Sequence, residues 1–188
     1  MSKKYIAEIV PLNSEVIGTK AHGKAVFIEE GDHLNIKIDM FDTPANMQHW
    51  EHFHGFPNGE IAQIATKEQD VNHDGFVDLP ETEAVSGTTM VPFDNAPHHM
   101  HIPSDNYPIS DDKGYFSYEI NVPLNELQKK FKEVFGTDDL ELDKRVIYVH
   151  GVPQDFKLPD TVAGEVGCYD THVTLPIAVG KIVEVNEC

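Results

Sequence analysis

The chain has 188 residues, and 14 Lys and Arg against 32 Asp and Glu give it a formal charge of −18. This length suits one domain that buries a real core, and 40% hydrophobic residues is a globular composition rather than a disordered one. The acidity excludes a nucleic-acid binder, since phosphate contacts need clustered Lys and Arg, and it favours cations as partners.

In chain order, Tyr5 to Val10 is a short apolar run stopped by Pro11, and a second run from Gly23 ends at the turn Gly31–Asp32. From His33 onward Leu34, Ile36, Ile38 and Met40 alternate with Asn35, Lys37 and Asp39, the pattern of a half-buried antiparallel strand. Trp50 to Phe56 reads as another strand. Residues 57–113 are rich in Pro, Gly, Asp and Asn, and such a stretch predicts a functional loop insertion. Strand pattern returns at Gly114 to Val122. A helical stripe of Leu124, Leu127, Phe131, Val134 and Phe135 stops at Gly136. Arg145 to His150 is a buried strand, and Thr171 to Val183 closes the chain as one strand or two broken at Pro176. Seven to eight strands with one short helix predict an all-β protein, an antiparallel sandwich or Greek-key barrel forming a single domain over 1–188.

No apolar run approaches the roughly 18 residues of a membrane span. The opening residues Met1 to Pro11 lack the apolar stretch of a secretory signal, which predicts a cytosolic chain unless the sequence is a processed form. The two cysteines, Cys168 and Cys188, are too few for a disulfide framework.

The sharpest motif runs from Asp70 to Glu81. Counted from Asp70, oxygen-bearing side chains fall at positions one, three, five, nine and twelve as Asp70, Asn72, Asp74, Asp78 and Glu81. Gly75 supplies the bend, Val77 the apolar position, and Phe76 a backbone carbonyl. Calcium takes six to eight oxygens at about 2.3–2.6 Å, and a twelve-residue loop of this pattern wraps them round it. The weak helical signal on both flanks, with at most a short helix over Ile61 to Gln69 and with Pro80 ahead of the last ligand, predicts a lone structural calcium loop.

Histidines cluster at His49, His52 and His54, at His98, His99 and His101, and at His150, with His172 beyond. On a strand His52 and His54 share a face about 7 Å apart, close enough for one transition metal. His150 ends an apolar strand, where an imidazole needs a partner. No His-Glu-x-x-His, Gly-x-Ser-x-Gly elbow or Gly-rich phosphate loop occurs, which excludes the common hydrolase and nucleotide-binding sites.

The run His49-x-x-His52-x-His54-Gly55, preceded by Gly23 to Phe27 and Leu34 to Ile38 and followed by Arg145 to His150, resembles the Cu/Zn superoxide dismutases in residues and in strand order. Chordin-type domains, also β-sandwiches, open similarly. The dismutase resemblance covers about residues 5–56 and 98–183. It implies His52, His54 and His150 as copper ligands, redox-active if the chain is an enzyme, with His49 bracing the site. It also implies a bridging imidazole from His98, His99 or His101. Zinc would be closed by the remaining members of that cluster with Asp105, Asp111 or Asp112. Superoxide is the implied substrate, with His chemistry suited to copper or zinc. Two absences tell against fast dismutation: no cysteine lies between His54 and His98, and Ala163 to Cys168 carries Glu165 but no anion-guiding Arg. The alternative is a non-enzymatic, calcium-stabilised chordin-like interaction module.

Overall fold

The computed structural model describes residues 1–186, and Cys188 lies outside them. Eight strands form one antiparallel sheet curled into a half-barrel: β1 (Lys3–Pro11), β2 (His22–Glu30), β3 (His33–Phe41), β4 (Glu51–Gly55), β5 (Thr88–Pro92), β6 (Phe116–Pro123), β7 (Val146–His150) and β8 (Pro176–Val185). Their order across the sheet is β5-β4-β7-β8-β1-β2-β3-β6, and every pairing is antiparallel. Local hairpins join β1, β2 and β3. The chain then leaves β3 to build β4 and β5 at the far edge and returns with β6 beside β3. The expected all-β architecture is therefore the observed one.

The alternation read from the sequence sets which face is buried. Leu34, Ile36, Ile38 and Met40 of β3 all point into one core with Ala7 and Ile9 of β1, Phe27 of β2, Phe53 of β4, and Ile147 and Val149 of β7. The helices are α1 (Ser14–Ile17), α2 (Leu79–Ser86), α3 (Leu124–Phe135) and α4 (Thr171–Thr174). The expected stripe of α3 buries Leu124, Leu127 and Phe131, with Phe131 6.2 Å from Phe53 between ring centres. A 3-10 turn over Pro97–His99 touches β5, β6 and α3, so it fills the opening between the two edge strands. No helix among the described residues is long and apolar enough to cross a membrane.

Three expectations need correction. The stretch 57–113 is not wholly an inserted loop, because Thr88–Pro92 is an edge strand of the sheet, paired to β4. The Pro, Gly, Asp and Asn content of the whole stretch made it read as loop, yet an edge strand tolerates a residue such as Pro92 that cannot donate. A second helix, α2, follows the Asp70–Glu81 loop, and Pro80 is the reason it starts there. Asp78 accepts from the Glu81 amide and Glu81 accepts from the Asp78 amide, a capping box with Pro80 in the first turn. Before the loop there is only a 3-10 turn over Lys67–Gln69. Thr171–Thr174, expected as strand, is the short helix α4, capped by Asp170 through the His172 amide.

Candidate metal centre

β4 places His52 and His54 on the face opposite Phe53, outside the barrel core, and β7 runs alongside with His52 paired to Tyr148 and His54 to Val146. A bulge between Val149 and His150 ends the regular β7–β8 register where His150 is needed. The last residue of β4 is a glycine because the Arg145 side chain crosses it: a Cβ at Gly55 would sit 2.5 Å from the arginine Cδ. The outer face of this sheet is roofed by a second apolar cluster in which Val146 and Tyr148 pack on Ala62, Ala65 and Val77.

The result is a convergence of three rings drawn from positions almost a hundred residues apart. One nitrogen from each of His52, His54 and His150 lies within 4.8 Å of the other two. Ring centres are 5.1 Å apart for His52 and His150, 5.8 Å for His54 and His150, and 6.0 Å for His52 and His54. The three residues are 2%, 1% and 1% exposed, respectively for His52, His54 and His150. Among the described residues this is the one group of three or more His, Cys, Asp or Glu drawn this close.

Hydrogen bonds decide which nitrogen of His52 and of His150 carries its lone pair inward. The Tyr107 hydroxyl has one proton, and it donates this to the Ile102 carbonyl at 2.7 Å. Its oxygen therefore accepts from Nε2–H of His52 at 2.9 Å, which leaves Nδ1 of His52 bare. His150 donates Nδ1–H to the Thr174 carbonyl at 2.8 Å, which leaves Nε2 bare. Nδ1 of His52, Nε2 of His150 and both nitrogens of His54 are buried without any partner. Buried polar atoms are ordinarily paired, so four orphans in one place call for an explanation. Burial also drives these rings neutral. It pushes His52 and His54 well below the ordinary histidine range, and mutual repulsion of the charged forms adds to it. His150 is pushed down to about 4 by the same burial, against the pull of its bond to Thr174.

His49 stands behind this group without joining it. Its Nδ1 lies 2.9 Å from the His150 carbonyl and its Nε2 2.8 Å from the Pro44 carbonyl, so it ties the loop before β4 to the end of β7. Two residues absent from the sequence reading belong here. Tyr107 sits in the Pro- and Asn-rich stretch, where nothing in the local pattern marks it as the partner of His52. Glu51, on the inward face of β4 beside Phe53, is fully buried with both carboxylate oxygens unpartnered, and burial raises it well above the carboxylate range.

The expected second half of the site does not assemble. Packing of the Pro97–His99 turn into the barrel opening carries His98 to α3, where its Nε2 lies 3.8 Å from Glu126. His99 and His101 are exposed. Asp111 closes a turn by accepting from the Lys113 and Tyr115 amides, both at 2.9 Å, while Asp105 and Asp112 are exposed. None of these six residues joins the three imidazoles, and the position behind His52 is held by Tyr107. Cys168 is free and exposed, and Glu165 is exposed.

The Asp70–Glu81 loop is closed by its own side chains. Asp70 accepts from the Asp74 and Gly75 amides at 3.1 and 2.9 Å, and Gly75 makes the bend at φ +90°. Asn72 also accepts from the Asp74 amide, Asp74 from the Phe76 amide, and Glu81 from the Val71 amide. Asn13, Thr161 and Ala163 tie the loop to the barrel through Val77, Asp74 and Asp78. Its carboxylates do not draw as close together as the three imidazoles do.

Tyr107→Phe keeps the ring but removes the acceptor for His52 Nε2–H. Its expected effect is a loss of about 10–100-fold in transition-metal affinity with little change in fold, the usual cost of losing a group that orients a ligand. Competition titration against a chelator of known affinity checks this.

No protein-family model and no curated protein matches the chain, so the centre is read from its own geometry: a buried group of three imidazoles able to bind a metal ion.

Proposed function

We propose that this chain is a metal-binding β-barrel protein related to the Cu/Zn superoxide dismutases, in which His52, His54 and His150 hold copper, or zinc in its place. The observation that carries the reading is the set of four buried ring nitrogens without partners, on three rings held neutral by burial. One metal ion accounts for three of them, one on each ring, because it needs a bare lone pair from each ligand and loses affinity when protons compete for it, while the second nitrogen of neutral His54 carries the ring proton. Three imidazoles without sulfur or carboxylate suit copper and zinc, and copper stands above zinc in intrinsic affinity. Bound copper would supply one-electron chemistry. The protein's own part is to set ring tautomers through Tyr107 and Thr174 and to keep water out.

Exposures of 2% or less at all three rings favour holding the metal over direct attack by superoxide, which needs an open coordination face. The missing guiding Arg and the exposed Glu165 argue the same way. Calcium in the Asp70–Glu81 loop belongs to the same reading, as a structural ion supported by the complete oxygen pattern, the left-handed Gly75 and the inward turn of Asp70 and Glu81. Burial raises the Glu81 carboxyl, with the neighbouring Asp78 adding to it, a crowding that a cation relieves.

Elemental analysis of untagged protein, purified without chelators, tests both sites. The expected result is one copper or zinc and one calcium per chain, with EGTA lowering the melting temperature by several degrees and leaving the transition metal in place. Calcium alone would overturn the metal centre in favour of a chordin-like module, and an EGTA-insensitive melt would overturn the structural calcium.

A further inference from the structure

A line of aromatic rings leads away from the imidazole group to the surface. The Tyr107 hydroxyl is 2.9 Å from Nε2 of His52. Its ring stacks on Trp50 with centres 5.4 Å apart and planes inclined by 27°. On its other side Trp50 meets Tyr169 edge-on, with centres 4.8 Å apart. Tyr107 and Trp50 are buried, and the line comes out at the partly exposed Tyr169, which is followed by Asp170 and preceded by the exposed Cys168. Asp105 lies beside the Tyr169 hydroxyl and helps burial raise it above the ordinary phenol range.

A core needs apolar volume, and aliphatic side chains would fill this space as well. What the stack adds is a continuous path of π systems, each within contact distance of the next, between a sealed site and solvent. The sealing itself gives that path a use. Imidazoles 2% exposed or less cannot offer a bound ion to a reactant by contact, so charge has to cross protein.

We infer that Tyr107, Trp50 and Tyr169 form an electron-transfer conduit between the His52 side of the metal centre and a surface port at Tyr169, used by a positively charged one-electron carrier. The inference rests on the metal reading above and deepens it by naming how the site exchanges electrons. The carrier loses one electron and the centre gains one, or the reverse, and no covalent bond forms or breaks. When a strong oxidant takes an electron from Tyr169 itself, the phenolic proton passes to Asp105 and returns on re-reduction. The sign of the carrier follows from charge: Asp105 lies at the Tyr169 hydroxyl and Asp170 follows Tyr169 directly, in a chain of formal charge −18.

Two measurements on the whole chain test this. In metal-free protein, flash-generated tris(bipyridine)ruthenium(III) oxidises the surface, and transient absorption follows the radical. The chain has a single tryptophan, so a tryptophan radical reports Trp50 alone. Tyr169→Leu is expected to slow its formation by at least about tenfold, since leucine offers no π system, while metal uptake stays at the wild-type level. In copper-loaded protein, reduction by hexaammineruthenium(II), read as loss of the copper(II) spin-resonance signal, is expected to slow similarly in Tyr169→Leu and in Trp50→Phe. The wild-type rate should also fall as salt is added. Unchanged rates in both variants would overturn the conduit. Failure of the wild type to take up copper would overturn the metal reading instead, and the radical transfer in the metal-free chain would still decide the conduit.

Discussion

His54→Leu is expected to make the metal-free protein more stable while abolishing tight binding of the transition metal. Both ring nitrogens of His54 are buried without a hydrogen-bond partner, so in the metal-free chain they carry an uncompensated desolvation cost. Such a group costs about 1–3 kcal/mol, and an apolar side chain of similar reach removes that cost. For a domain of this size the gain corresponds to a rise of roughly 2–4 °C in melting temperature per kcal/mol. Metal affinity moves the other way. Loss of one of three ligands should exceed the ~10–100-fold penalty that an orienting residue carries. Thermal melts with and without copper, beside a binding titration, read both signs at once. A histidine kept for packing alone would give lower stability in the variant and no change in metal binding.

His150 is the contrasting case. Its Nδ1 satisfies the Thr174 carbonyl, so His150→Ala removes a ligand and leaves a buried acceptor unpaired. Metal is lost there too, but at a cost in stability rather than a gain. The difference between the two histidines separates coordination from structural hydrogen bonding.

The second large effect is acid destabilisation of the metal-free protein. In the unfolded chain histidine titrates near its ordinary 6.5, whereas His150 in the folded barrel titrates near about 4, and burial holds His52 and His54 well below the ordinary value. Between these limits the unfolded state binds more protons than the folded one, so stability falls as the pH drops from above 6.5 toward 4. For His150 alone the difference between its two values amounts to about 3 kcal/mol once the pH is below both, a large share of a typical domain's stability. The three rings are coupled, so their contributions do not simply add. Urea unfolding at a series of pH values should show the midpoint falling steeply through this window in metal-free protein. Bound metal holds off protonation, and the fall should begin at lower pH when copper is present. Equal curves with and without metal would separate the acid response from the imidazole group. Glu51 acts with the opposite sign. Its carboxyl is raised in the folded state, so it lowers stability as the pH rises above the ordinary carboxylate value.

How much of this was legible in the sequence follows from the range of the forces involved. Strand alternation at Leu34 to Met40, the stripe and Gly136 stop of Leu124 to Phe135, and the oxygen spacing of Asp70 to Glu81 are local regularities. Each is set by backbone periodicity within a dozen residues, and each can be read without knowing what packs against it. The pairing of His52 with His54 on one face belongs to the same class. That His150 meets them could be read only through a resemblance in the order of strands, because the contact depends on β7 lying beside β4.

The rest was decided by the tertiary structure. Thr88–Pro92 became a strand because β4 had an open edge to pair with, although the Pro-, Gly-, Asp- and Asn-rich stretch around it signalled a loop. His98 went to Glu126 of α3 instead of the centre because its turn fills the barrel opening. Tyr107, not a second imidazole, came to stand behind His52, and Thr174 to stand behind His150. The amino-acid order by itself determined which residues could serve as ligands and which faces would be buried, since both follow from chemistry and backbone period. Which candidates meet, which nitrogen of His52 and of His150 is bare and how deeply the group is sealed depend on contacts across long loops, and only the closing of the sheet settled them.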